Sequence, residues 1–145
     1  MKKVLLPIDG STRSLRTIEM VKQLYGPKDA ELTILMVLSN QMYMDRKFEA
    51  ERIQRKAKQE LDTFAELLPG YEIHVVLRRG SPGPEILDYA EEEGFDGIVM
   101  TRSSRGPLQK LGSVSTYIVR NAPFMDLHIM HEEKARLHAP VEDQG

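Results

Sequence analysis

Five short apolar runs alternate along this chain with longer stretches in which apolar residues return every three or four positions. The first run, VLLPI at 4–8, is continuously apolar, the pattern of a strand covered on both faces. Ser11 or Thr12 can then cap a helix through a side-chain oxygen. Leu15, Ile18, Val21 and Leu24 or Tyr25 follow at helical spacing until Gly26-Pro27. ELTILMVLS at 31–39 is a second buried strand. Residues 44–68 are rich in Lys, Glu, Gln, Arg and Ala. Phe48, Ile53, Ala57, Leu61, Phe64 and Leu68 form their apolar stripe, and Pro69-Gly70 stops this helix. In YEIHVVLRRG (71–80), Ile73, Val75 and Leu77 share one face, and Glu72, His74 and Val76 share the other. The charges mark an edge strand. Ser81-Pro82-Gly83-Pro84 starts a third helix, with Ile86, Leu87, Tyr89 and Ala90 on its apolar side and Gly94 at its end. FDGIVM (95–100) is a fourth strand. Val114, Tyr117, Ile118 and Asn121 line a fourth helix that Pro123 ends, and FMDLHIM (124–130) is a fifth strand.

Strand and helix thus alternate throughout. Connections that carry a helix join parallel neighbours by right-handed crossovers. The predicted fold is α/β, an open five-stranded parallel sheet with helices on both faces. No repeat or linker divides the chain. Residues 1–131 are expected to form one domain, and 132–145, which lack a sustained apolar pattern, a frayed tail. Pro7 strains this picture, because a proline in mid-sheet removes a ladder N–H. It fits if it lies at the carboxyl end of its strand, where neighbours diverge. Ligands of open α/β sheets bind at that end, where strand order reverses. Pro7-Ile8-Asp9-Gly10-Ser11 then lines either a ligand crevice or a plain tight turn.

Composition narrows the classes. The 145 residues suffice for one domain with a real core. With 41% hydrophobic and 29% charged residues, a soluble globular protein is expected. A net charge of -2 gives no general attraction to nucleic acid or to acidic membranes, and neither is expected as a partner. The absence of cysteine excludes disulfides, thiol catalysis and cysteine metal sites, and it fits a cytoplasmic location. The apolar part of MKKVLLPIDGS is too short for a signal peptide. No run approaches the roughly 20 apolar residues of a membrane span.

The candidate chemistry lies in MTRSSRGPLQKLGSVS, between the fourth strand and the fourth helix. Hydroxyls at Thr101, Ser103, Ser104, Ser113 and Ser115 can donate to phosphate, and Arg102, Arg105 and Lys110 can neutralise it. The helix beginning near Ser113 turns its free N–H groups to the same region. The alternative is a solvated loop. Other chemistries find no support. GxxxxGK[ST] and GxGxxG are absent, and Arg78-Arg79-Gly80 stands where a phosphoacceptor aspartate would be needed. His128 and His131 are three apart on a strand and face opposite sides. No Ser-His-Asp grouping has workable spacing, and Glu91-Glu92-Glu93 is a solvated helix face.

KKVLLPIDGS, ILMV on the second strand, GSPGPEILDYAEEEGFDGIVM and GSVSTYIVRNAP occur in an order and spacing that resemble the universal stress protein family from Lys2 to Ile129. The resemblance implies a flavodoxin-like, adenine nucleotide alpha hydrolase-like sheet of order 3-2-1-4-5. It implies a binding or signalling module of the stress response, without catalytic residues, that takes ATP (with magnesium) or AMP between strands 1 and 4. It also implies a homodimer paired through strand 5, around Met125, Leu127 and Ile129. The site carried over comprises Pro7, Asp9, Val37, Met100, Thr101, Ser104, Arg105, Gly112, Ser113 and Val114. Asp9 approaches the ribose or a metal-phosphate group, and the Val37 backbone reads the adenine edge. The family loop has the form G-x2-G-x9-G-[ST]. Here only Gly112-Ser113 matches: Thr101 and Ser104 replace the first two glycines, and seven residues rather than nine separate Ser104 from Gly112. Each Cβ hinders close backbone approach to phosphate. Two alternatives therefore stand beside nucleotide binding: slow ATP hydrolysis or nucleotidyl transfer in the same crevice, and a structural dimer holding no cofactor.

Overall fold

A computed structural model describes residues 1–39, 49–102, 113–122 and 125–131. Its elements run β1 (Lys2–Ile8), α1 (Arg13–Leu24), β2 (Ala30–Leu38), α2 (Ala50–Ala65), β3 (Glu72–Arg79), α3 (Pro82–Glu93), β4 (Gly97–Arg102), α4 (Ser113–Asn121) and β5 (Asp126–His131). The strands form one sheet of order β3-β2-β1-β4-β5, and every neighbouring pair is parallel. The start of the predicted second helix, 44–48, and the tail from 132 lie outside the described residues.

β1 is central and buried from Val4 to Ile8. Its alternate residues feed two cores. Val4, Leu6 and Ile8 pack with Ile18 and Val21 of α1 and with Ala57, Leu61 and Phe64 of α2. Leu5 faces the opposite way, with Leu35, Ile98, Ile86 and Ala90 of α3 and Ile118 of α4. A strand buried on both faces is why the sequence there is apolar without alternation.

β1 pairs with β2 along its whole length, from Lys2↔Ala30 to Ile8↔Met36. Its ladder with β4 consists of Val4↔Gly97 and Leu5↔Ile98. The two strands have parted before Pro7, so on that side the missing N–H breaks no ladder. This parting at the point where strand order reverses opens the crevice.

Two local expectations change. Leu15 is 44% exposed, and the buried face of α1 is Ser14, Thr17, Ile18 and Val21. Positions 14, 17, 18 and 21 are the proper i, i+3, i+4, i+7 set, half filled by hydroxyl residues. Thr12 is the N-cap but makes no side-chain cap bond, and the Ser11 hydroxyl donates to Asp9 instead. The β3 edge is blunted as expected. His74 lies 3.3 Å from Glu72 and 3.6 Å from Glu31, while Ile73, Val75 and Leu77 sit half-buried against the α2 side.

Candidate functional site

A cavity of about 340 Å³ opens where β1 and β4 diverge. Pro7 and Ile8 enter from the end of β1, Leu35 and Val37 from β2, and Met100, Thr101 and Arg102 from β4. Pro82 and Ile86 of α3 form one wall. Arg13, Ser14 and Thr17 of α1 form another, and Ser113, Val114 and Ser115 begin α4 at the rim. Residues more than a hundred positions apart in the sequence therefore line one cavity, Ile8 and Ser113 among them. The size lies within the range of small-molecule sites. One side is apolar (Leu35, Val37, Ile86, Met100, Val114), and the other is rich in hydroxyl and charged groups (Asp9, Arg13, Ser14, Thr17, Thr101).

The polar side is organised by Asp9. Gly10 follows it at φ 82, a left-handed conformation that suits glycine and turns the chain back on itself. Asp9 Oδ1 accepts the backbone N–H of Ser11 at 3.0 Å and the hydroxyls of Ser11 at 2.6 Å and Ser14 at 3.2 Å. Arg13 Nη2 donates to Asp9 Oδ2 at 2.7 Å. Partial burial works against the charged carboxylate. The hydrogen bonds from Ser11 and the guanidinium of Arg13 outweigh it and hold the group below its ordinary value of 3.8. Asp9 is thus a turn former and a cavity residue at once.

Deeper in, the hydroxyls of Thr17 and Thr101 lie 2.9 Å apart and tie α1 to the end of β4, with Thr17 fully buried. Each hydroxyl has one proton and two lone pairs, so one shared bond leaves the pair with further donor and acceptor capacity.

Of the residues singled out in the sequence, Pro7, Asp9, Val37, Met100, Thr101, Ser113 and Val114 line this one cavity. Ser104, Arg105 and Gly112 lie outside the described residues. The sequence reading missed Arg13, Ser14, Thr17, Leu35, Pro82 and Ile86. The available signal was in α1: polar residues at 14 and 17, in helical phase with apolar Ile18 and Val21, point to a polar site facing the core. A second cavity of about 400 Å³ adjoins the first at Asp9 and Val37, on the α2 side, where Lys56 and Glu60 line it.

The sequence model of the universal stress protein family matches residues 1–129. The chain belongs to the universal stress protein family. Universal stress protein MJ0531 of Methanocaldococcus jannaschii is 27% identical over 131 residues, covering 83% of this chain and 77% of that one. The solved structure of MJ0577 superposes with a TM-score of 0.76 at 25% identity, covering 90% of this chain and 95% of the other. A universal stress protein in complex with cAMP gives a TM-score of 0.68 at 20% identity over 90% of this chain and 97% of that one. A family protein of Arabidopsis thaliana with AMP bound gives 0.67 at 16% identity over 96% and 97%. Within this universal stress protein, the hydroxyl of Thr101 at the end of β4 is turned to Thr17 of α1.

Proposed function

We propose that this universal stress protein domain is a binding module for an adenine mononucleotide, held in the crevice between β1 and β4. The observation that carries the reading is the two-sided cavity, with an apolar slot facing a polar floor and a helix N-terminus at its rim. Leu35, Val37 and Ile86 suit a planar base, and the Val37 backbone reads its edge. Asp9 accepts from the ribose hydroxyls. The phosphate meets Ser113 and the N-terminal end of α4, with Thr101 beside it. Ser104, Arg105 and Gly112 of the loop complete the set. Relatives of the same fold that hold cAMP and AMP support this ligand class.

Calorimetric titration with AMP tests the reading, with Kd in the micromolar range expected, about -8 kcal/mol. Ser113→Asp places a like charge where the phosphate sits, while an acid at a helix start favours the helix. It should weaken AMP binding at least about tenfold without lowering thermal stability. Unchanged affinity in that variant would move the phosphate elsewhere.

We further propose a homodimer formed along β5. This strand is a sheet edge, paired to β4 on one side, and Met125, Leu127 and Ile129 remain half-buried at it. Sedimentation should show a dimer that Ile129→Lys converts to monomer. A monomeric wild-type chain would refute the pairing.

A further inference from the structure

The crevice lies at the carboxyl ends of the strands, and a second group of potential ligands stands toward the amino end of the sheet. Period-two alternation puts Glu72 and His74 of β3 on one face. The parallel register sets Glu31 of β2 beside Glu72, and Thr33 beside His74. Among the described residues, Glu31, Glu72 and His74 are the one trio of histidine and carboxylate side chains whose donor atoms converge, all within 4.8 Å of one another. His74 Nε2 lies 3.3 Å from Glu72 Oε2 and 3.6 Å from Glu31 Oε2. Zinc bonds of about 2.0–2.2 Å to imidazole nitrogen and carboxylate oxygen, arranged tetrahedrally, hold neighbouring ligand atoms roughly 3.3–3.6 Å apart. Both separations from His74 already match that spacing.

Charge favours a cation at the same place. Two carboxylates face one imidazole, and among the described residues the ion partner of each is His74 rather than a lysine or arginine. Lys3 is in register with Glu31, but its ammonium is committed elsewhere, to the Glu93 carbonyl and the face of the Phe95 ring. β3 is the outer strand of the sheet. Glu72 and His74 are exposed there and Glu31 is half-buried, so an ion can reach the trio and the two longer side chains can close on it.

We propose that Glu31, Glu72 and His74 form a surface site for a divalent transition ion of the zinc type, with water in the fourth position. One imidazole nitrogen with two carboxylates suits zinc. Magnesium wants octahedral oxygen ligands and keeps its water, and calcium takes about six to eight oxygens. The site is separate from the nucleotide crevice and does not depend on it.

Calorimetric titration of the untagged full chain with zinc chloride, in a buffer that does not chelate, tests this. The wild type should bind one zinc ion with micromolar Kd, and magnesium chloride should give no competing heat. Loss of a residue that merely orients a metal ligand costs about 10- to 100-fold in affinity, so loss of a ligand should cost at least as much. His74→Ala, Glu31→Gln and Glu72→Gln should each weaken zinc binding at least about tenfold, while His128→Ala should leave it unchanged. Because a ligand held by the folded state stabilises it, zinc should also raise the melting temperature of the wild type and not that of His74→Ala. Absence of zinc binding in the wild type overturns the proposal. So does undiminished affinity in His74→Ala, or a loss in His128→Ala as large as in His74→Ala. Each of these results leaves the nucleotide reading untouched, and failure to bind AMP leaves the zinc site standing.

Discussion

Asp9 joins the geometry of a turn to the electrostatics of a cavity. Its folded-state pKa is lowered, so it contributes stability that is fully present above the ordinary carboxylate value and is lost as pH falls through the folded one. The groups facing it are Arg13, which stays charged throughout, and the hydroxyls of Ser11 and Ser14, which do not titrate. The stability difference between the wild type and Asp9→Asn should therefore hold steady from neutral pH to about pH 5 and shrink below about pH 4. Urea unfolding followed by circular dichroism across that range measures it, and a difference that widens on acidification would reverse the assigned sign. Part of this residue's role was legible in the sequence, since Asp-Gly after an apolar strand announces a turn. Its partner was not. The i, i+4 placement of Arg13 becomes meaningful only once α1 is known to start there. Thr17 was hidden for a related reason: a threonine on an apolar helix face is ordinary until its hydroxyl is found opposite Thr101.

Among the elements, α3 and α4 define one flank of the cavity, and their separation depends on Gly83. A Cβ built on this residue would come 3.0–3.1 Å from Cβ, Cγ and Cδ2 of Tyr117. The missing side chain is thus what lets the N-terminal turn of α3 approach α4. Those atoms of Tyr117 are the root of its side chain and give way only if α4 moves, so Gly83→Ala should cost a little stability. Gly83→Leu has nowhere to go and should destabilise by about 1–3 kcal/mol while weakening AMP binding, because Val114 shifts with α4. Urea midpoints of the two variants check this, and equal stability would show that α4 is not held by the contact. The element pattern itself was readable because burial on both faces and helical recurrence leave strong signatures. The apolar strands and the Gly-Pro and Pro-Gly breaks left little room for other boundaries. In α1, Ile18 and Val21 are buried as the spacing predicts, but the tidy every-third series carried the stripe on to Leu15 and Leu24, which are exposed. The helix instead buries Ser14 and Thr17 and leaves Leu15 in water. Hydrophobicity alone follows the wrong stripe where a site substitutes hydroxyls into the core.

For the whole molecule, alternation of strand and helix was enough to predict a parallel sheet, but not the order of its strands. Right-handed crossovers permit several windings, and the order 3-2-1-4-5 came from the family resemblance. Pro7 was the local clue that agreed with it, since a central strand tolerates proline only where a neighbour has departed. The two-rung ladder between β1 and β4 has a mechanical meaning. It makes a seam through the middle of the sheet, sewn at one end and spanned at the other through α1, whose Thr17 hydroxyl meets Thr101 of β4. A molecule lodged between Asp9 and Thr101 would act as a clasp across that seam. Amide deuteration of β4 and β5 should slow when the clasp is in place, while β2 and β3, stitched along their full length, keep their own pace.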